Sequence, residues 1–495
     1  MAESTQIQAV IDYFTALNQI PRPSKQEAKV AEWLLQWAKE RKFETHQDKA
    51  GNLVVRVPGR NVSGKQGTPP TIVLQAHMDM VCVSQEAKGH DCKKDPITVL
   101  RKGDWLQADG TSLGADNGIA IALMQALVDD TELAHPPLEL LFTVDEESGM
   151  TGAKNLDAGL LSGSKFINLD SESEGVFTVG SAGGANSHLR LPILSEASGT
   201  VSGGEGAHAF RLMVSGLRGG HSGIHIERPH GNAIHTIARL LGVLKDARIA
   251  SINGGEASNA LSRAANAEIL IPERAVEAEK RRLRECAAAL REELHSVEPE
   301  LKIQWQALDQ HPKRVFPQEA ARTAVDLLLA LPHGVQRYGY AGKKHFLESS
   351  CNLATVETKP DAMLVTVNQR TARNVLLGAD RSTISAVARL CGARVKVDGE
   401  YPAWDPNYEA ELLRRAERTY REQRGKRPKT ETVHAGLETG FLAQKVPGAE
   451  IISLGPTIQH PHSPSERVSV QSVDRLRSFL ATLLGSYAED PEGAG

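Results

Sequence analysis

No apolar stretch in this chain reaches the roughly 18 consecutive residues that read as a transmembrane helix, so no membrane span is expected. Neither sign of charge is in excess: 57 Lys and Arg face 61 Asp and Glu, for a formal net charge of −4. That balance argues against a nucleic-acid or anionic-membrane partner held by overall charge. The five cysteines (Cys82, Cys92, Cys286, Cys351, Cys391) are odd in number and contain no C-x-x-C pair. They suit a reducing compartment, with buried structural thiols the expectation for most. The N-terminal MAESTQIQAVIDYF is acidic and amphipathic, unlike a secretory signal. Tandem repeats and long low-complexity tracts are absent. A soluble cytoplasmic protein is expected, at 40% hydrophobic and 24% charged residues. Its 495 residues exceed one ordinary core, so a two-domain layout is the starting point.

Ser4–Asn18 and Ser24–Arg41 carry helical spacing, and Ser24 with Glu27 three residues on reads as a capping box. From Asn52 the pattern changes to short apolar runs at Leu53–Val57, Thr71–Gln75, Leu138–Val144 and Phe166–Leu169. A helix apolar on most sides spans Asn117–Val128. Apolar strands alternating with helices predict an α/β sheet covered on both faces. From Ala207 the texture becomes α+β. Strands are expected at 207–215, 248–253, 264–270, 301–307, 352–358, 361–368 and 393–398, with helices at 230–246, 272–296, 317–331 and 374–391. They read as two sandwich-like halves of an inserted domain. A helix at 408–424, a strand at 450–454 and a helix from Ser472 to Leu484 return to the first domain, and the tail EDPEGAG is expected to be disordered. The layout is therefore 1–186 and 401–495 for an α/β domain with helices on both faces, and 187–400 for a large inserted α+β domain.

Metal-ligand residue types gather where this fold places ligands. His77 and Asp79 follow TIVLQA, Glu146 and Glu147 follow LELLFTVD, Asp170 follows FINL, and His462 follows IISLGP by a few residues. Sites in open α/β sheets lie beyond the carboxyl ends of strands. In an extended segment His77 and Asp79 share a face, so one can ligate while the other holds the imidazole. Adjacent Glu146 and Glu147 point apart, leaving one free to carry a proton. Asp116, at a helix start, is favoured there by unpaired N–H groups. Asp116, Glu147 and Asp170 would offset three of the four positive charges of two Zn²⁺. Mixed His and carboxylate donors suit zinc, with Mn²⁺ or Co²⁺ as alternatives. Taken singly each residue has an ordinary explanation: a strand-end histidine, a solvated acidic loop, a helix cap. Their co-occurrence at strand ends is the signal.

The strings AHMDMV, ADGTSLGADNGIA, TVDEESGMTGA, NLDSE, GGHSGIHI, HAGLETG and PHSP resemble the aminoacyl-histidine (Xaa-His) dipeptidases. These belong to the zinc superfamily that also holds carboxypeptidase G and the aminoacylases. The resemblance runs nearly the whole length, including an inserted lid domain. It implies two Zn²⁺ per subunit, with His77 and Asp170 on one, Glu147 and His462 on the other, and Asp116 bridging. Glu146 becomes the general base and acid, and Asp79 orients His77. His221, in GGHSG, becomes the group that reaches a substrate carbonyl, in the family often in the partner subunit's site. Asn259 and Arg370 become the pair that grips a substrate carboxylate, although NQRTAR around Arg370 departs from the serine-rich family string. A homodimer and a small peptide substrate such as β-alanyl-histidine are implied, with no nucleic-acid or membrane partner. The final motif offers His460 as well as His462; His462 directly precedes SP, as in the family.

Two other activities compete. A zinc N-acyl-amino-acid amidohydrolase would use the same site. A serine hydrolase would use Ser112 in GTSLG, a literal G-x-S-x-G, but the polar KGDWLQAD before it is unlike the buried strand that ends in a nucleophile elbow.

Overall fold

The computed structural model describes residues 5–62, 68–85, 89–198, 206–341 and 344–490. The chain forms two compact units: Met1–Ser181 with Trp404–Val433 and Leu437–Gly495, and Ala182–Ala403 with His434–Gly436.

The first unit is built on a mixed eight-stranded sheet. Its strand order is Glu44–Gln47, Leu53–Val57, Leu138–Thr143, Ile72–His77, Lys165–Asn168, Glu450–Ser453, Val176–Ser181 and Lys429–Val433. The three central strands Leu138–Thr143, Ile72–His77 and Lys165–Asn168 run parallel, so their carboxyl ends open on one edge. Both faces are covered, as the continuous apolar runs predict. Leu53, Val55, Ile72, Leu74, Leu140 and Ile167 join a large core with helices Thr5–Leu17, Ala28–Glu40, Ala115–Asp129 and Val470–Glu489. The alternate residues Val54, Val73, Leu141 and Phe166 pack with Leu442 of helix Glu438–Lys445 in a smaller core. Among the described residues no helix is long and apolar enough to cross a membrane.

In the second unit the two expected halves share one sheet. One continuous sheet contains Ala207–Ser215, Arg248–Gly254, Ala265–Pro272 and Lys302–Ala307 together with Gly183–Pro192, Lys344–Lys359, Ala362–Thr371 and Arg394–Tyr401. The two halves join where Gly254 pairs with Val356. Thr358 extends that seam: its N–H donates to Asn253 Oδ1 at 2.9 Å, and its hydroxyl accepts from Ile252 N at 2.8 Å. Pairing two strands that would otherwise be free edges removes unpaired backbone groups. A single core gathers helices Ala233–Gly242, Val276–Leu294, Gln318–Ala330 and Asn374–Leu390 on this sheet.

Three local expectations change. Ser24 does not cap the second helix, which starts at Ala28; its hydroxyl donates to Asp79 Oδ2 at 2.7 Å instead. Cys82 and Cys92 form a disulfide, while Cys286, Cys351 and Cys391 are thiols and Cys351 is buried. Of the tail expected to be disordered, Glu489 ends the last helix, and 491–495 lie outside the described residues.

Candidate metal centre

Asp116 lies at the head of helix Ala115–Asp129, but its backbone is not helical and the Asp116–Asn117 peptide is cis. It does not serve the helix N-terminus, as its position had suggested. Glu466 does that: its carboxylate accepts N–H bonds from Leu113 (2.8 Å), Gly114 (2.9 Å), Ala115 (2.8 Å) and Asp116 (3.3 Å). The Asp116 carboxylate is thereby left free to face outward from the helix start. Its Oδ1 lies 3.0 Å from His77 Nε2 and its Oδ2 3.2 Å from His462 Nε2.

Two donor sets therefore share Asp116. His77, Asp116 and Asp170 offer ligand atoms within 4.8 Å of one another, and so do Asp116, Glu147 and His462. His77 Nε2 is also 3.3 Å from Asp170 Oδ1, and His462 Nε2 is 2.9 Å from Glu147 Oε1. His460 belongs to neither set; its carbonyl accepts from the Ser463 hydroxyl at 2.8 Å.

Strand ends supply the rest. His77 closes Ile72–His77, and its Nδ1 lies 3.3 Å from Asp79 Oδ1. Asp79 also accepts the N–H groups of Glu146 (3.0 Å) and Glu147 (3.2 Å), so one buried carboxylate ties the histidine strand to the acidic turn. The Glu146–Gly149 turn is entered through Asp145 in the left-handed region, φ 53°. Asn117 Nδ2 donates to Asp170 Oδ1 at 2.7 Å and fixes that carboxylate from the helix side.

The electrostatics fit a cation site. Burial opposes charge on His77, yet Asp170, Asp116 and Asp79 outweigh it and its pKa lies well above the usual histidine value. Hydrogen bonds to Asp116 and Glu147 push His462 up to about 10. Burial, with the charges of Asp116 and Glu147, lifts Asp170 to about 6. Burial, with Asp170, Glu438 and Glu147 adding, holds Glu146 well above the carboxylate range. Each imidazole thus holds a proton against carboxylates, in the place where a divalent cation would satisfy the same oxygens. Two imidazoles and three carboxylates, one of them shared, match a mixed nitrogen and oxygen ligand set.

The second unit holds the other expected residues. His221 Nδ1 accepts the N–H groups of Gly223 (3.1 Å) and Ile224 (3.3 Å), which leaves the ring proton on Nε2. Burial and the nearby Arg370 lower its pKa, so the ring is neutral at physiological pH. Asn259 is exposed, and its carbonyl accepts the Ser222 N–H at 2.8 Å. Arg370 is buried, and among the described residues its hydrogen bonds go to neutral oxygens, Ser222 Oγ at 3.3 Å and Tyr401 Oη at 3.0 Å. Near it lies His434, whose Nε2 is 2.8 Å from Ser350 Oγ and whose pKa burial lowers to about 3.

Ser112 is no nucleophile. It is fully buried, its hydroxyl donates to Val81 O at 2.7 Å and accepts from Val83 N at 3.0 Å, and among the described residues no histidine is bonded to it.

Several supporting residues escaped the sequence reading. Arg22 is completely buried and donates to Gly114 O (2.6 Å), Asp79 O (3.1 Å) and Met78 O (3.3 Å). Glu27, read from the sequence only as half of a capping box, accepts the Asp145 N–H at 3.0 Å. A buried arginine beside prolines is a faint signal, and the Glu466 side chain reaches across 350 positions, which no local pattern reveals.

Residues 73–486 match peptidase family M20/M25/M40. The chain is 34% identical over 489 residues to the cytosol non-specific dipeptidase of Escherichia coli strain K12, covering 98% of this chain and 99% of that protein. Its fold superposes on the aminoacylhistidine dipeptidase of Vibrio alginolyticus with a TM-score of 0.90 at 32% identity, covering 97% and 96% of the two chains. The aminopeptidase PepT of Bacillus cereus shares the fold more loosely, at a TM-score of 0.57 and 17% identity over 98% and 99% of the chains. The chain belongs to peptidase family M20/M25/M40. It is a metallopeptidase homologous along its whole length to dipeptidases.

Proposed function

We propose that this protein is a metal-dependent dipeptidase that cleaves dipeptides with a free C-terminal carboxylate, Xaa-His dipeptides such as β-alanyl-histidine among them. The observation that carries the reading is the sharing of Asp116 between the two donor sets. His77 and Asp170 would hold one cation, Glu147 and His462 the other, and Asp116 both. Zinc suits these donors, with Mn²⁺ or Co²⁺ as alternatives. When bound, the pair supplies Lewis acidity, acidifying water and polarising the scissile carbonyl.

The chain's own groups do the remaining work. Glu146, with its raised proton affinity, takes a proton from the attacking water and returns it to the leaving amine. Asp79 holds His77 by its second nitrogen. Neutral His221 offers Nε2–H to the oxyanion that develops on the substrate carbonyl. Arg370, buried beside neutral partners, takes the substrate carboxylate with its planar fork, and Asn259 assists. A cation fixed for one chain end favours the shortest peptides.

The Glu146→Ala protein tests the assignment: turnover is lost while metal content stays at the parent level. Parallel assays on dipeptides and N-acyl amino acids separate the dipeptidase from a deacylase. Turnover of acyl amino acids alone would keep the site and replace the substrate.

A homodimer, with His221 completing the partner's site, remains part of the proposal. Mixing His221→Ala with Glu146→Ala protein then restores part of the activity; no recovery speaks against it. The cytoplasm is the proposed compartment, in line with the E. coli relative named for the cytosol. A Cys82–Cys92 bond is unusual there. Thiol counting on protein quenched in intact cells discriminates, since five free thiols mean a reduced pair and three a disulfide.

A further inference from the structure

The smaller core of the first unit is apolar at Val73, Leu141 and Phe166. Three polar side chains interrupt that face, each just before a strand end that leads into the metal centre. Gln75 lies two residues before His77, Thr143 three before Glu146, and Asn168 two before Asp170. Strand parity puts them beside Val73, Leu141 and Phe166. All three are buried to 1% exposure or less.

One carboxyl gathers them. Glu438, fully buried, opens helix Glu438–Lys445. Its Oε2 accepts from Gln75 Nε2 at 2.8 Å and from Thr143 Oγ1 at 2.6 Å. Gln75 Nε2 also lies 3.1 Å from Thr143 Oγ1, and Gln75 Oε1 accepts from Asn168 Nδ2. The bonds to Glu438 span 363 and 295 positions of sequence. Among the described residues its other oxygen, Oε1, is buried without a partner. Burial, with Asp170 and Asp79 adding, pushes this carboxyl up to about 8, so it is largely neutral at physiological pH. A buried carboxyl with an unmade hydrogen bond costs free energy. A leucine would suit this apolar face at no such cost, so stability alone does not account for the residue.

We propose that Glu438 is a positioning residue of the metal centre. By joining Gln75 to Thr143, and through Gln75 reaching Asn168, it fixes the ends of the three strands that present His77, Glu146, Glu147 and Asp170. It acts through those strands and is not a ligand. The inference rests on the metal-centre reading given above.

Full-length Glu438→Gln, Glu438→Leu and Thr143→Val proteins test it. The readouts are Zn²⁺ affinity by competition with a chromophoric chelator, kcat, KM and thermal midpoint. Glutamine keeps an oxygen that accepts both bonds, so Glu438→Gln stays within a few-fold of the parent in affinity and kcat. Glu438→Leu loses about 10–100-fold in Zn²⁺ affinity, in kcat, or in both, as outer partners of metal sites do, with KM changing less. Thr143→Val removes one arm with little change of shape and shifts the same quantities in the same direction by a smaller factor. It keeps the test decisive if the leucine variant fails to fold. A folded Glu438→Leu protein with parental affinity and kcat would overturn the proposal. So would a Glu438→Gln protein as impaired as the leucine one, or a Thr143→Val protein altered only in thermal midpoint. Zn²⁺ affinity needs no substrate. A parent that turned over no dipeptide would count against the proposed function and leave this test standing.

Discussion

Asp116 divides its carboxylate between two histidines that are 385 positions apart in sequence, His77 Nε2 at Oδ1 (3.0 Å) and His462 Nε2 at Oδ2 (3.2 Å). Because both donor sets depend on it, its removal should cost both cations. Asp116→Ala is expected to lose kcat by more than the about 10–100-fold typical of outer partners. Metal analysis should show fewer than two cations per chain. Retention of both would mean that Asp116 is not shared.

Metal binding should release protons. In the metal-free protein His462 holds its proton up to about 10 and His77 is raised as well, whereas a ligating imidazole must be neutral. Affinity for Zn²⁺ therefore rises with pH across the neutral range. Calorimetry in buffers of different ionisation enthalpy should give net proton release; pH-independent affinity would contradict the assignment. The metal-free fold carries the opposite linkage. The raised His462 pKa contributes stability that is complete below the unfolded histidine value and is lost as pH climbs through about 10.

Glu466 supports Asp116 by taking four backbone N–H groups. Glu466→Ala leaves buried donors unpaired and should destabilise the protein by about 1–3 kcal/mol, read by denaturant melts. A matching fall in Zn²⁺ affinity is expected, because the loop that aims Asp116 loosens.

Among the described residues the Ser112 hydroxyl bonds to backbone and to no histidine. Activity should resist a serine-directed phosphonate, and Ser112→Ala should lower stability by about 0.5–1.5 kcal/mol with kcat near the parent value. Inactivation by the phosphonate would revive the serine mechanism.

Arg370→Ala should raise KM for dipeptides about tenfold or more, since hydrogen bonds to charged groups contribute about 1.5–3 kcal/mol. Dipeptide amides, which lack the carboxylate, should be poor substrates for the parent and little affected by the substitution. An equal effect on both would remove Arg370 from carboxylate recognition.

Much of this was legible in the chain itself. The strand Leu53–Val57 and the strand Ala207–Ser215 match their sequence patterns to the residue: the first is apolar but for Arg56, and the second buries Phe210, Leu212 and Val214 at every other position. His77, Asp116, Glu147, Asp170 and His462 stood at strand or helix ends, and the structure brings all five together. What stayed hidden was long-range. Ser24 reads locally as a cap, yet the buried Asp79 carboxylate, tens of positions away, competes for its hydroxyl. Glu466 and Glu438 look like ordinary acids at loop and helix starts, and only the fold shows which backbone and side-chain donors they meet. The seam at Gly254 and Val356 was missed because a single paired position leaves no periodicity.

The most direct test of the central claim pairs metal content with turnover. Purified protein is stripped by chelation, assayed on a dipeptide panel that includes β-alanyl-histidine, and assayed again as Zn²⁺, Mn²⁺ or Co²⁺ is added back. The expected result is activity that vanishes with the metal and returns as the content approaches two cations per chain. Full turnover by the stripped protein would contradict the claim.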